Sequence, residues 1–274
     1  MKSKLKGQIA IFISALFFSL MAVGVSYGNR MFGLSGMLAS LGRFLVGISI
    51  VLVLILIGVI KPEIKNLKGW LLRGIFGSVA MVLYFSSISY IGSARALLLN
   101  MTSPIFVAVF AYFIFKERVR KREIIAMLLS ICGGFIIYQA GSTEIIGILT
   151  GIGSAVSAGF AINIVRELRN ENAALVYAAT CLSGLVLTFA EFPALLSASY
   201  IELAVLLLVG FLAFLGQIFM TWAYRNITAS QGSAISYVSI PLTAILAHFF
   251  VGEPIDARFL FGGTLIFVGV LVAR

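Results

Sequence analysis

The chain has 274 residues, of which 61% are hydrophobic and 11% charged, with a formal net charge of +10. Soluble domains carry about 25% charged residues on average, and a globule this apolar has too little polar surface to face water. Apolar runs of membrane-spanning length recur from end to end, which marks a polytopic membrane protein. The basic residues do not form a nucleic-acid surface. They sit in short segments between apolar runs, without zinc-finger spacing or an aromatic-interleaved basic patch.

Lys2, Lys4 and Lys6 precede an apolar run from Ile9 to Val25 that imitates a secretory signal. Its exit, SYGNRMFGLSG, has no Ala-x-Ala site, and the run is long for a signal core, so a retained first helix is expected over 8–27. A second helix is expected at 34–60. The block 70–115 is twice the bilayer thickness and must divide, with YIGSAR at 90–95 as the turn between the third and fourth helices. The remaining spans are expected at 122–140, 144–165, 173–192, 202–224, 230–251 and 257–273. Cys132 and Cys181 fall inside apolar runs without a CxxC pattern and read as small membrane-buried side chains, so no metal site is expected. GILTGIGSAVSAG at 147–159 opens a membrane helix with no strand before it and is not a phosphate loop.

Lysine and arginine set the orientation. With the N-terminus inside, sixteen of them gather at cytoplasmic ends and only Arg30, Arg95 and Arg258 at outer ends. Both termini are therefore expected in the cytoplasm, and the protein in the cytoplasmic (inner) membrane.

One phrase recurs. SPIFVAVFAYFIFKERVRKREI begins at Ser103, and IPLTAILAHFFVGEPIDARFLFGG begins at Ile240. Each holds a proline, an apolar stretch, a glutamate and a second apolar run. Five helices per half is an odd number, so two such halves enter the membrane in opposite senses. That accounts for the charge difference between KERVRKRE, expected inside, and VGEPIDAR, expected outside. The expected fold class is an all-α integral membrane protein of ten transmembrane helices, arranged as two inverted five-helix repeats over 1–140 and 141–274. Inverted repeats are an architecture of secondary transporters.

The proline-to-glutamate spacing of 12–13 residues, the glycine-bearing helix FGGTLIFVGV, GRFLVG in helix two and YIGSARALLLNMTSP in helix four carry a resemblance. In these, over essentially its whole length, the chain resembles the drug/metabolite transporter superfamily, EamA type. The resemblance implies ten helices, both termini inside, and a central cavity among helices one, three, four, six, eight and nine. It leaves the substrate open among amino acids, nucleosides and bases, S-adenosylmethionine, riboflavin, sugars and drugs. The wording TSPIF…KERV is similar to members handling amino acids and adenosyl compounds.

Pro104 and Pro241 are expected to kink helices four and nine, freeing the carbonyls of Asn100 and Tyr237 four residues earlier. Two such polar patches near mid-membrane would make a substrate cradle, or structural kinks satisfied by neighbouring helices. Gln217, Thr221 and Tyr224 share a face of helix eight, while Tyr84, Ser86 and Ser89 lie on helix three and Asn163 on helix six. Each either lines the cavity or bonds between helices. Arg43 lies deep in helix two, where it either holds an anionic or zwitterionic substrate group or pairs structurally. His248, the single histidine, is a candidate for proton coupling or a packed residue.

Every carboxylate falls in a loop or near a helix end. Proton- and sodium-driven carriers commonly use an intramembrane carboxylate. The expectation is therefore exchange or facilitated transport of a neutral or zwitterionic solute, with proton coupling open only through His248, Glu117 or Glu253. The substrate expected first is an amino acid or related small polar metabolite, with adenosyl or nucleoside-like compounds second. A channel or lipid flippase is the competing class; no HExxH segment is present, and no enzyme is expected. Expected partners are a small-molecule substrate and membrane lipid, with no nucleic acid and no cofactor. Gly133, Gly134, Gly262, Gly263 and Gly269 on helices five and ten permit close helix contact and allow a homodimer.

Overall fold

The computed structural model describes residues 2–116, 125, 128–129, 132–133, 136, 142–168, 170–224, 226, 235–236 and 238–272. Helices account for nearly all of this, and no strand occurs among the described residues. They are α1 (Lys2–Phe32), α2 (Gly36–Leu56), α3 (Leu67–Ile91), α4 (Ser93–Asn100), α5 (Ser103–Phe115) and α6 (Ser142–Glu167). Then come α7 (Ala173–Leu187), α8 (Phe192–Ser197), α9 (Tyr200–Tyr224), α10 (Ser239–Val251) and α11 (Ala257–Val272). Six spans are long and apolar enough to cross a membrane, with α4 and α5 together forming one of them, and the pair around Thr188, bent by 62°, makes up to seven. Residues such as Leu56, Val186, Leu196 and Phe249 point outward with most of their surface exposed, as a lipid-facing shell requires.

The chain punctuates these helices with polar caps. Ser35 accepts from the Leu38 amide to start α2, Asn66 from Gly69 to start α3, and Asn172 from Ala174 to start α7. Glu171 ties the start of α3 to the α6–α7 connection by accepting from the Lys65 and Asn66 amides, both at 2.8 Å. Trp70 Nε1 donates to the Leu175 carbonyl at the same end.

Two expectations about the helices change. The fourth span is broken, not kinked: α4 stops at Asn100, Met101 and Thr102 form a turn, and Pro104 falls in the first turn of α5. Proline disfavours helical geometry in the residue before it and lacks only a donor that a first turn leaves unpaired anyway. Pro241 likewise falls in the first turn of α10, and Tyr237 lies outside the described residues. The expected seventh helix is interrupted after Leu187, where the Thr188 hydroxyl donates to the Gly184 carbonyl, and Pro193 opens α8. Most of the expected fifth helix lies outside the described residues.

Small residues set the helix spacing. A side chain at Gly36 would run into the α3 backbone at Phe85, and one at Gly184 into the Phe44 ring. Gly133 sits against the Gly262 carbonyl of α11, where an added Cβ would lie at 2.6 Å, so these two glycines serve a contact within the chain. The interfaces pair regularly. α3 lies along α6 and against α7; α1 lies along α9 and against α10. α2 packs on α9 and α7, α5 on α6, and α4 on α10.

Candidate functional site

Two polar groups occupy the bundle interior. The first joins α4, α5 and α6. Asn100 donates from Nδ2 to Ser154 Oγ at 2.9 Å, and Ser154 donates to the Gly151 carbonyl. About two and a half turns further along α6 than Ser154, fully buried Asn163 donates to the carbonyls of Val107 (2.9 Å) and Gly159 (3.1 Å). Its Oδ1 is enclosed without a partner. The break between α4 and α5 thus leaves a polar seam against α6, with Asn100 and Asn163 both engaged in it.

The second group surrounds Arg43 and joins α1, α2, α3 and α7. Arg43 is 4% exposed. Its Nη1 donates to Met21 Sδ at 3.3 Å, a weak acceptor. Its Cζ lies 5.7 Å from the centre of the Phe85 ring, a cation–π distance. Nε is enclosed with no partner. Four residues on, a side chain at Gly47 would meet Tyr177 Oη at 2.7 Å and Cys181 Sγ at 2.8 Å. The Tyr177 hydroxyl lies close to both Cys181 and the Arg43 guanidinium, without a well-aligned hydrogen bond to either. Arg73 follows the same plan on α3: its guanidinium fills the space over Gly77, donates to Thr180 Oγ1 at 3.3 Å and leaves Nε enclosed. Tyr84 is buried on α3 with its ring tilted against that of Phe85.

At one end of the bundle Glu253 is buried although it lies in the α10–α11 loop. Its Oε1 accepts from Ser26 Oγ (2.6 Å), the Ser93 amide (2.7 Å) and Ser93 Oγ (2.9 Å), and its Oε2 from the Ala94 amide (3.2 Å). The carboxylate therefore caps α4, where charge opposite to the helix dipole is favoured. Gly92 makes this approach possible: its φ is +83°, and an added Cβ would lie 2.8 Å from the Glu253 carboxyl. Around it, Arg95 pairs with Asp256 at 2.7 Å and approaches Glu144 at 3.9 Å, and Arg30 donates to the Val251 carbonyl. This network fastens α1, α4, α6, α10 and the α10–α11 loop together.

The remaining expected residues stand apart. Gln217 and Thr221 are half-buried on α9, and the Thr221 hydroxyl returns to the Gln217 carbonyl. Ser86 is half-buried, Ser89 bonds back to Phe85, and the Tyr224 side chain lies outside the described set. His248 is exposed on α10, and its Nδ1 lies 3.0 Å from the Glu253 carbonyl. A carbonyl only accepts, so Nδ1 carries the proton, and the ring fastens the end of α10. Glu117 lies outside the described residues. The GxSG pattern that an intramembrane serine–histidine dyad uses does occur, as GLSG at 33–36. Ser35 within it is a helix cap that also meets Glu191, not His248.

Sequence reasoning passed over Arg73 and Tyr177 as site residues, and named Glu253 only as an end carboxylate open to proton coupling. The signal for the first was present: RFLVG at 43–47 and RGIFG at 73–77 both place glycine one turn after arginine, and Gly77 leaves the space that the Arg73 guanidinium fills.

The model of the EamA-like transporter family matches residues 5–139 and again 145–274. The chain belongs to the EamA-like transporter family. It is similar to the pseudopaline exporter CntI of Pseudomonas aeruginosa, at 29% identity over 73% of this chain and 72% of that one. It is similar to an uncharacterized transporter of Helicobacter pylori, at 28% identity over 82% of each chain. A further uncharacterized transporter, from Clostridium kluyveri, shares 24% identity over 97% of this chain and 92% of its own. A solved crystal structure superposes on 98% of this chain and 96% of its own with a TM-score of 0.64 at 18% identity, which shows the fold alone. The protein is thus a multi-pass membrane transporter and not an enzyme.

Proposed function

We propose that this EamA transporter is an alternating-access carrier of small polar organic metabolites, with ten spans in two inverted repeats over 1–140 and 141–274. The packing pattern carries the reading. An inverted repeat exchanges span one with six, three with eight and four with nine. Under that exchange α3 on α6 becomes α9 on α1, α5 on α6 becomes α10 on α1, and α3 on α7 becomes α9 on α2. Each of these interfaces occurs together with its mate. Paired units related in this way suit rocking about a central site. The charge bias puts both termini in the cytoplasm and the Glu253 network on the outer side, where it would hold the outer entrance shut.

Amino acids and related compounds remain the first substrate class, moved by exchange or facilitated transport. The alternative, S-adenosylmethionine, brings a sulfonium cation toward a centre that already holds Arg43 and Arg73, and no observation favours it.

Counterflow in proteoliposomes tests the carrier. Vesicles loaded with an excess of unlabelled solute should transiently accumulate the labelled one, saturably, with or without an imposed pH gradient. Flux that rises linearly with concentration and shows no counterflow for any solute would refute the carrier in favour of a channel.

A further inference from the structure

We infer that the solute carries an oxyanion, a carboxylate or phosphate, which Arg43 holds with the Tyr177 hydroxyl as second donor. The inference rests on the carrier reading and narrows its substrate class.

The observations concern charge balance. Charged side chains within a membrane bundle pair with one another, with backbone carbonyls or with a solute path. Arg43 is more than nine-tenths buried, and around it stand a thioether, an aromatic face and the uncharged Tyr177 hydroxyl. None of these neutralises a cation. Half-buried Arg73 on α3 adds a second guanidinium, which donates to the Thr180 hydroxyl. Among the described residues the only buried carboxylate is Glu253, and its oxygens are taken by Ser26, Ser93 and Ala94. The ion pairs found among those residues both belong to Arg95. The interior therefore carries positive charge that the described part of the protein does not offset.

Hydrogen bonding points the same way. Arg43 Nε and the Tyr177 hydroxyl are both enclosed without partners, and an orphaned buried donor is costly, the more so when charged. Both belong to one seam, since Gly47, a turn below Arg43, faces the Tyr177 hydroxyl and Cys181. A guanidinium presents a planar fork that matches a carboxylate or phosphate, and a phenol adds a donor without charge. One arriving oxyanion satisfies the orphaned donors and the charge together. The same centre disfavours cations.

The test has a transport arm and a binding arm. Proteoliposomes are loaded with succinate, glycerol phosphate, alanine or adenosine, and counterflow is followed for each. In parallel, the melting temperature of the detergent-purified protein is measured with each solute. The inference expects at least one oxyanion-bearing solute, succinate, alanine or glycerol phosphate, to drive counterflow and raise the melting temperature, with succinate or alanine identifying carboxylate and glycerol phosphate identifying phosphate. Adenosine should do neither. Arg43→Lys should retain the preference with roughly tenfold weaker apparent affinity, Arg43→Gln should lose the anion-dependent melting shift, and Tyr177→Phe should weaken it several-fold. Arg43→Gln that elutes as a monodisperse peak but keeps an undiminished anion shift overturns the inference, as does adenosine counterflow unaffected by these substitutions. Absence of counterflow for every solute, with the Arg43-dependent melting shift intact, refutes the carrier reading instead and leaves the anion site standing.

Discussion

Glu253→Ala should open the end of the bundle that the carboxylate now fastens. Glu253 accepts four hydrogen bonds from α1 and the start of α4, at 2.6 to 3.2 Å. Hydrogen bonds to a charged acceptor contribute about 1.5–3 kcal/mol each and do not simply add, because water replaces part of what is lost when the end opens. A net loss of about 3 kcal/mol is a conservative figure, and at about 1.4 kcal/mol per decade it shifts the closed-to-open ratio roughly a hundredfold. Glu253→Gln keeps one acceptor oxygen and should shift it about tenfold. Leu97 lies buried one turn beyond Ser93, behind the fastened end. In a Leu97→Cys background, a membrane-impermeant maleimide is added to intact cells and modification at residue 97 is read by mass spectrometry, which leaves Cys132 and Cys181 in place. Labelling should be slow with Glu253 present and about two orders of magnitude faster in Glu253→Ala, given rapid opening and closing. A rate within threefold of the parent would refute the idea that this carboxylate closes the end.

Gly92→Ala tests the same joint from the other partner: positive φ and the close carboxyl oppose a side chain, and the melting temperature should fall by several degrees for about 1–3 kcal/mol. Asn163→Ala removes one donated bond from α6 to α5 and one within α6 and should cost about 1–3 kcal/mol, read as lowered thermal stability in detergent. A double-mutant cycle on Arg95 and Asp256 should give a coupling of about 1 kcal/mol or less that fades with salt, since both side chains keep contact with solvent. His248→Ala should leave the pH profile of transport unchanged, because the ring fastens a helix end and faces away from the interior; loss of a pH-gradient dependence would restore the proton-relay role.

The long helices were legible because their signals are local. Length, hydropathy and capping residues such as Ser35 and Asn66 place α1, α2, α3, α6 and α9 close to their expected positions. The breaks were harder. Proline at 104 reads equally as a kink or as a helix start, and what separates the two is whether nearby groups take up the freed backbone carbonyls, as the Thr102 hydroxyl takes up that of Leu99. The polar centre was half legible. Arg43 stands out in any apolar run, but Tyr177 and Cys181 acquire meaning only when α7 is laid across Gly47, a contact 130 residues distant in the chain. Glu253 was read as a loop carboxylate because its burial depends on Ser26 and Ser93, which come from the other half of the sequence.

Glu253 and Arg43 are opposite charges, both buried. They nevertheless do not pair. An ion pair between them would neutralise the centre and leave nothing to attract a solute anion, while truncating either partner would strand a buried charge. The chain instead spends the carboxylate on neutral donors, the serine hydroxyls and the amides at the start of α4, which fasten one end of the bundle. It leaves the guanidinium to a thioether and an aromatic ring, which hold its position without cancelling its charge. On the proposed roles, that division separates closing from binding. It also gives the two tests distinct signatures: removing Glu253 should change access before affinity, and removing Arg43 should change affinity and solute preference while the end stays closed.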